Sequence, residues 1–376
     1  MKVAQVVTYV SEDGAFGGPV SVALSQAVEC ARKGHDVTLI GGWDGRATVD
    51  APGVEVKLFR TRQVLPRRLT SFAGLVAPGL QRYVRRHANE FDVLHFQLSR
   101  DLITLPAAAA AVRGGHPGVV TQAHGMIVPD ARLRARLFDA VAVRRVLSGS
   151  GAVLAYSGVD DDQISAVARG DLRLFHLHNG VTPAPPRARG FKEFRDVVFM
   201  ARLHPRKRVM DFVHAARNLI ADGATYRFSI VGPDEGDLPK LQQFVAANGL
   251  GQTIRYEGPL APGQVRARLS EADLYVLPSW NEPFPVTVLD ALAVGTPTII
   301  TDSCGIADLL EPAGAARVTD GSVASLTAAI RDLASDPDLR AAASRAGVSY
   351  VNDQLAISSV VDELISVYEG VVTASR

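Results

Sequence analysis

Apolar, β-branched runs alternate with longer segments of helical period along almost the whole chain. The runs are apolar at consecutive positions, not at every second one, so both faces of each strand must be covered. Strands covered on both faces and separated by helices build parallel α/β sheets. The first half offers strands at Val3–Val10, Asp36–Ile40, Val54–Phe59, Val93–Phe96, Val119–Gln122 and Ala152–Ala155, with helices at Val20–Lys33, Leu69–His87, Leu102–Arg113 and Leu133–Leu147. The second half repeats the scheme: strands at Val197–Ala201, Tyr226–Val231, Thr253–Tyr256, Leu274–Leu277 and Thr298–Thr301, and helices at Val209–Ala221, Leu238–Asn248, Gly263–Ser270 and Val286–Val294. The segment Thr182-Pro-Ala-Pro-Pro-Arg-Ala-Arg-Gly190 breaks the pattern and reads as a linker. The expectation is two doubly wound, Rossmann-like parallel-sheet domains, residues 1–183 and 190–356, facing each other across a cleft. The tail from Ser322 reads as helical, and its last stretch, residues 357–376, is expected to pack back on the first domain.

Length agrees with this division, because 376 residues exceed what one core ordinarily serves. A net charge of +1 gives no global footprint for nucleic acid. The only cysteines are Cys30 and Cys304, with no CxxC and no Cys/His cluster. A zinc site or disulfide scaffold is therefore not expected, and a reducing, cytoplasmic setting is. The start, Met1-Lys-Val-Ala-Gln-Val-Val, runs into a strand and is not read as a signal peptide, and no apolar run reaches membrane-spanning length.

In doubly wound sheets ligands gather at the carboxyl ends of the strands, so the residues just after strands carry the functional argument. Ser11–Pro19 follows the first strand and leads into the helix from Val20, and its Gly17 and Gly18 let the backbone approach a phosphate. The same loop also reads as a plain strand–helix connection. His124 follows Val119–Gln122 and could contact a sugar hydroxyl or pass a proton. A hydrogen-bonded structural histidine is the simpler reading, and for His95 it is retained. Arg202 and Lys207 frame the loop after Val197–Ala201, placed so that both cations reach one diphosphate. Glu282 and Asp290 stand eight positions apart across a proline-marked helix start. The loop acid suits sugar hydroxyls, and the helix acid suits ribose hydroxyls. Pro285 has no N–H, so phosphate-facing amides would come from Phe284, Val286 or Thr287.

Taken together, these motifs resemble the retaining glycosyltransferases of family four, which have the two-domain GT-B fold. Pro278-Ser-Trp-Asn-Glu282-Pro-Phe284-Pro and Leu289-Asp290-Ala-Leu-Ala-Val-Gly295-Thr-Pro297 look like the family's E-x7-E block. Ala201-Arg202-Leu203 through Lys207 looks like its Arg/Lys pair. Asn179-Gly180-Val181, Ile230-Val231-Gly232-Pro233, Gly17-Gly18 and His124-Gly125 match further pieces in order. The resemblance implies that Arg202 and Lys207 neutralise a diphosphate leaving group and that Glu282, helped by the amides near Phe284, Pro285 and Val286, holds the donor sugar. It further implies that Asp290 holds ribose, that Gly17 and Gly18 approach the diphosphate, and that His124 contacts the sugar near the reaction centre. The implied enzyme is a metal-independent hexosyltransferase using a nucleoside-diphosphate sugar, most commonly a UDP-sugar, with GDP-mannose as the alternative. Its implied acceptor is a saccharide or lipid-linked saccharide, in cell-surface polysaccharide or glycoconjugate synthesis. Two positions depart from the pattern. The second glutamate is Asp290, one methylene shorter, and the usual double glycine reads Ser303-Cys304-Gly305.

Arg132-Leu-Arg134-Ala-Arg136-Leu-Phe-Asp-Ala-Val-Ala-Val-Arg144-Arg145 carries five arginines against one acid, and Arg60, Arg62, Arg67, Arg68, Arg82, Arg85 and Arg86 form a second basic region. A basic amphipathic surface can sit on anionic lipid at the cytoplasmic face of a membrane. The competing reading is a solvated helix face with its leucines packed inward. Two enzymatic rivals are an NAD-dependent oxidoreductase using Gly17-Gly18 with Asp44, and a sugar phosphorylase or nucleotide-sugar epimerase on a related fold. The oxidoreductase lacks a third glycine. A non-catalytic sugar-nucleotide binder sits poorly with Glu282, Arg202, Lys207 and His124 all present.

Overall fold

A computed structural model describes the chain except residues 12–16, 65–73, 186–189 and 375–376. It divides into two compact units, Met1–Gly180 with Ile357–Arg376, and Val181–Ala356.

The first unit holds a seven-stranded sheet in the order Glu55–Arg60, Asp36–Trp43, Lys2–Val10, Val93–Gln97, Val119–Gln122, Ala152–Ala155, Leu174–His176. Every pairing in it is parallel. The order reverses beside Lys2–Val10, which is the switch point where a doubly wound sheet opens a crevice. The second unit holds six parallel strands in the order Ile254–Gly258, Arg227–Val231, Asp196–Met200, Leu274–Leu277, Thr298–Thr301, Arg317–Thr319. Its switch point lies beside Asp196–Met200. The inner strands are buried along their length, as continuous apolar runs require.

Three departures from the expected elements have local causes. The helix expected from Leu69 begins at Pro78 in the described chain, and Leu75–Val76 instead pairs antiparallel with Arg62–Gln63. Pro78 has no N–H and pushes Ala77 out of the helical region, so a helix can start there but not run through it. The helix expected over Leu133–Leu147 contains a π-turn at Asp139–Val143, between Leu133–Phe138 and Arg144–Ser148. The strands Leu174–His176 and Arg317–Thr319 and the helix Gly158–Ala168 are additions. The strands are three-residue sheet edges, and the helix opens on acids, capped by the Ser157 side chain. None of the three carries the continuous apolar signal.

The helix Ile357–Thr373 belongs to the first unit. It buries Ile357, Val360, Val361, Leu364, Tyr368 and Val371 against Val3, Ala27, Cys30, Val93, Val120 and Leu154. Among the described residues no helix is long and apolar enough to cross a membrane.

Candidate active site

In the second unit the loops at the carboxyl ends of four strands meet. The loop after Asp196–Met200 carries Arg202 and a short 3-10 turn, Pro205–Lys207. The loop after Arg227–Val231 begins at Gly232, whose φ is +142°. A Cβ at Gly232 would stand 2.0 Å from the Ala201 carbonyl oxygen, so only glycine lets the two loops touch. Leu203 N–H then donates to the Pro233 carbonyl at 2.8 Å. This contact brings Glu235 under Arg202, whose guanidinium donates to both carboxylate oxygens at 2.8 and 2.9 Å. Glu235 was not singled out from the sequence. Its only signal is an acidic turn, Gly232-Pro-Asp-Glu-Gly236, after a buried strand.

Lys207 Nζ donates to Glu282 Oε2 at 2.6 Å, and each side chain is 11% exposed. Arg206 approaches the same oxygen at 3.7 Å. Burial pulls the Lys207 ammonium below its usual range, Glu282 opposes that shift, and Arg206 and Arg202 add to it. The three cations and Glu282 therefore form one electrostatic cluster.

Glu282 is held by its neighbours' backbones. Gly305 N–H donates to the Glu282 carbonyl at 2.8 Å, and a Cβ at Gly305 would lie 2.2 Å from the Pro283 carbonyl oxygen. Within Ser303-Cys304-Gly305 the glycine retained is thus the one that geometry demands. Ser303 Oγ accepts from Asn281 N–H at 3.3 Å, a bond a glycine could not make. The helix Val286–Ala293 starts at Pro285 without a side-chain cap. Its first-turn amides, Val286 and Thr287 among them, have no partner inside the helix. Phe284 is buried beside them.

Asp290 lies one turn before the end of this helix with its side chain 15% exposed. Its Oδ1 accepts from Arg266 Nε at 2.7 Å. Arg266, on the helix Val265–Glu271, also donates to the Thr182 carbonyl at 2.9 Å. Burial pushes the Asp290 carboxyl up, and Arg266 opposes it. Arg266 is a second partner that the sequence did not reveal.

In the first unit, Gly17 and Gly18 are the first residues of the helix Gly17–Arg32. A Cβ at Gly18 would meet nothing within 4 Å. Residues 12–16 of the preceding loop lie outside the described residues. His124 sits just past Val119–Gln122 with φ +51°, followed by Gly125 at φ +65°. Its Nδ1 is 2.6 Å from the Tyr156 hydroxyl, and its Nε2 bonds Gln97 Oε1. Burial pushes the imidazole down to about 3, so the ring is neutral at ordinary pH. A neutral ring with both nitrogens engaged fits hydrogen bonding better than proton transfer, one of the two roles expected of it. His95 is buried and structural, its Nδ1 2.7 Å from the Tyr368 hydroxyl.

Behind His124 runs a polar chain inside the first unit. Gln97 Nε2 donates to Gln5 Oε1 at 2.8 Å, and Gln5 Nε2 donates to the Tyr368 hydroxyl at 3.1 Å. Gln5, Gln97 and Tyr368 are fully buried. Isolated glutamines in apolar strands carry no functional pattern, and sequence reasoning passed over them. Among the described residues no group of three His, Cys, Asp or Glu side chains is placed to hold a metal ion.

Comparisons with known proteins bear on the family and the fold. Residues 185–349 match the family described as "Glycosyl transferases group 1", and residues 16–185 match "Glycosyltransferase Family 4". A D-inositol 3-phosphate glycosyltransferase from Corynebacterium efficiens is 25% identical, over 96% of this chain and 92% of its own. Among solved structures, Anabaena HepE in complex with UDP and glucose superposes with a TM-score of 0.75 at 18% identity, covering 98% of this chain and 99% of its own. Sucrose-phosphate synthase from Thermosynechococcus elongatus also reaches 0.75, at 15% identity, with both chains fully covered.

Proposed function

Because the chain belongs to glycosyltransferase family 4 and has the GT-B fold, we propose that it transfers a hexosyl group from a nucleoside-diphosphate sugar to a saccharide or lipid-linked saccharide. The transfer retains anomeric configuration and uses no metal ion, and UDP is the first candidate nucleotide. The observation that carries this reading is the buried Lys207–Glu282 pair, with Arg202 and Arg206 around it, beside an uncapped helix start. Cleaving a sugar–diphosphate bond builds negative charge on phosphate oxygens, and cations and amides fixed beforehand stabilise it without reorganising. The bond from C1 to the diphosphate oxygen breaks and its electron pair leaves on that oxygen. The acceptor oxygen bonds to C1 on the face the leaving group vacates, and the acceptor proton passes to the departing phosphate. No protein base is required, which suits a neutral, fully engaged His124. Glu282 holds sugar hydroxyls, Lys207 and Arg202 the diphosphate, Asp290 the ribose, Gly17 and Gly18 the phosphate side of the amino-terminal unit, and His124 the sugar. The complexes of HepE with UDP and glucose support a UDP-sugar donor.

A thermal-shift screen against UDP- and GDP-sugars, with NADH alongside, tests the reading. A ligand binding only the folded state raises the melting temperature by mass action. Stabilisation by one nucleotide sugar, and transfer of its sugar to an acceptor with the α or β configuration unchanged, is expected. Stabilisation by NADH alone would overturn it.

The proposed setting is the cytoplasmic face of a membrane, bound peripherally. In the helix that starts at Leu133, Leu133, Leu137 and Val141 are 81%, 62% and 69% exposed. Its one acid, Asp139, is turned inward to Arg100 Nε at 2.7 Å. The outer surface of this helix thus combines apolar side chains with arginines and no acid, against the reading in which its leucines pack inward. Co-sedimentation with anionic vesicles at low salt is expected. Changing Leu133 and Leu137 together to serine should weaken it roughly tenfold. Equal recovery of wild type with and without vesicles would sink the membrane assignment.

A further inference from the structure

The geometry points to Arg266 as the residue that positions Asp290 for the ribose hydroxyls of the donor, an inference that rests on the assignment of Asp290 to the ribose. Asp290 is shorter than the glutamate usual at this place, so its carboxylate has less reach and its direction matters more. Arg266 supplies that direction. Its guanidinium is fixed at both ends, by Asp290 Oδ1 at 2.7 Å and by the Thr182 carbonyl at 2.9 Å. A planar group held at two points cannot swing, and the carboxylate bonded to it cannot rotate freely. Among the described residues, Oδ1 is taken by Arg266 and Oδ2 by none, while the Asp290 side chain keeps 15% exposure. One oxygen is committed to the scaffold and one is left for a hydroxyl.

Arg266 also favours the charged form of Asp290. Burial drives the carboxyl upward, and Arg266 is the group that opposes it. Tyr275, on the strand beneath, stays protonated through burial and bonds Thr287 Oγ1 and the Met200 carbonyl. The strand Thr298–Thr301 has no ionisable side chain. Toward this helix end, Pro337–Gln354 presents Gly347, against Leu292, and Ser344, which donates to the Gly295 carbonyl. Among the described residues, Arg266 is the group that opposes this upward shift. A neutral carboxyl accepts more weakly from hydroxyls than a carboxylate does.

The test compares UDP and GDP, each with its 2′,3′-dideoxy counterpart, titrated calorimetrically against wild type, Arg266→Ala and Arg266→Lys at pH 8 and pH 6. The ratio of ribo to dideoxy affinity cancels the titration of the phosphates. Wild type should favour the ribo form of its preferred nucleotide by on the order of tenfold at both pH values. Arg266→Ala should lose most of that preference, and lose more at pH 6 than at pH 8, because burial unopposed by Arg266 raises the carboxyl further. Arg266→Lys keeps the charge but cannot span both acceptors, and should fall between; it carries the comparison if the alanine variant is unfolded. Equal affinity of wild type for ribo and dideoxy forms, or no binding of either nucleotide, would overturn the ribose assignment itself. A wild-type preference that both variants keep unchanged at both pH values would leave that assignment standing and overturn the role of Arg266.

Discussion

Glu282→Gln is expected to lower kcat/KM for sugar transfer by about a thousandfold or more, comparable to losing a principal transition-state contact. The structure makes glutamine, not alanine, the informative change. Glu282 is the partner of a buried lysine, and truncating one member of such a pair leaves the other charge uncompensated, at a cost of about 3–5 kcal/mol. Glu282→Ala would therefore confound lost chemistry with lost folding. Glutamine also removes the negative charge but keeps an acceptor for Lys207 Nζ, and should cost less than alanine. Lys207→Met should lower kcat through the leaving group, and the double variant should be little worse than either single one, since groups acting as a unit are not additive. Steady-state kinetics with thermal melts on the same samples decide the matter. A Glu282→Gln enzyme with near-normal kcat/KM would remove Glu282 from the donor site.

Ending the chain at Ala356 is expected to leave the first unit unable to fold. The lost helix buries Ile357, Val360, Val361, Leu364, Tyr368 and Val371. At about 1.5–3 kcal/mol for each large apolar side chain, the loss is about 10 kcal/mol, as large as the whole stability of a typical domain. It also removes the Tyr368 hydroxyl from Gln5 and His95, leaving buried polar groups without their partner. Tyr368→Phe isolates that second effect and should cost about 1–3 kcal/mol. Circular dichroism melts and limited proteolysis distinguish the cases. A truncated chain that melts like the full one would show that the helix is dispensable to the first unit's core.

Much of the architecture was legible in the chain. The strands Val119–Gln122, Ala152–Ala155, Leu274–Leu277 and Thr298–Thr301 and the helix Val209–Ala221 stand where the apolar pattern puts them, because a strand buried on both faces carries apolar residues at adjacent positions and not only at alternate ones. The short edges Leu174–His176 and Arg317–Thr319 were not legible, since an edge strand is covered less and needs no such run. Pro78 was a readable boundary inside the expected Leu69–His87 helix, and its steric rule overrode the helical period at Leu75–Val76 just before it.

The site divides in the same way. That Arg202, Lys207, Glu282 and Asp290 follow strands or open helices is a property of sequence order, and order in a doubly wound sheet assigns a residue to the carboxyl edge. Which charge meets which is not. Lys207 pairs with Glu282 across 75 positions, Arg202 with Glu235 across 33 and Arg266 with Asp290 across 24. Those separations carry no information about distance until the strands are set side by side. Gly232 and Gly305 illustrate the point: the chain shows only that they are glycines, and the packed loops show that a single added carbon at either would collide with a neighbouring carbonyl. The sequence by itself thus determined two doubly wound parallel sheets and the set of groups at their edges, because burial on both faces and chain order are local or additive properties. Only the tertiary structure decided the partners, the directions in which burial shifts Lys207, Asp290 and His124, and the bracing of Asp290 by Arg266, because each depends on distances and on exclusion of water that exist only once the loops are packed.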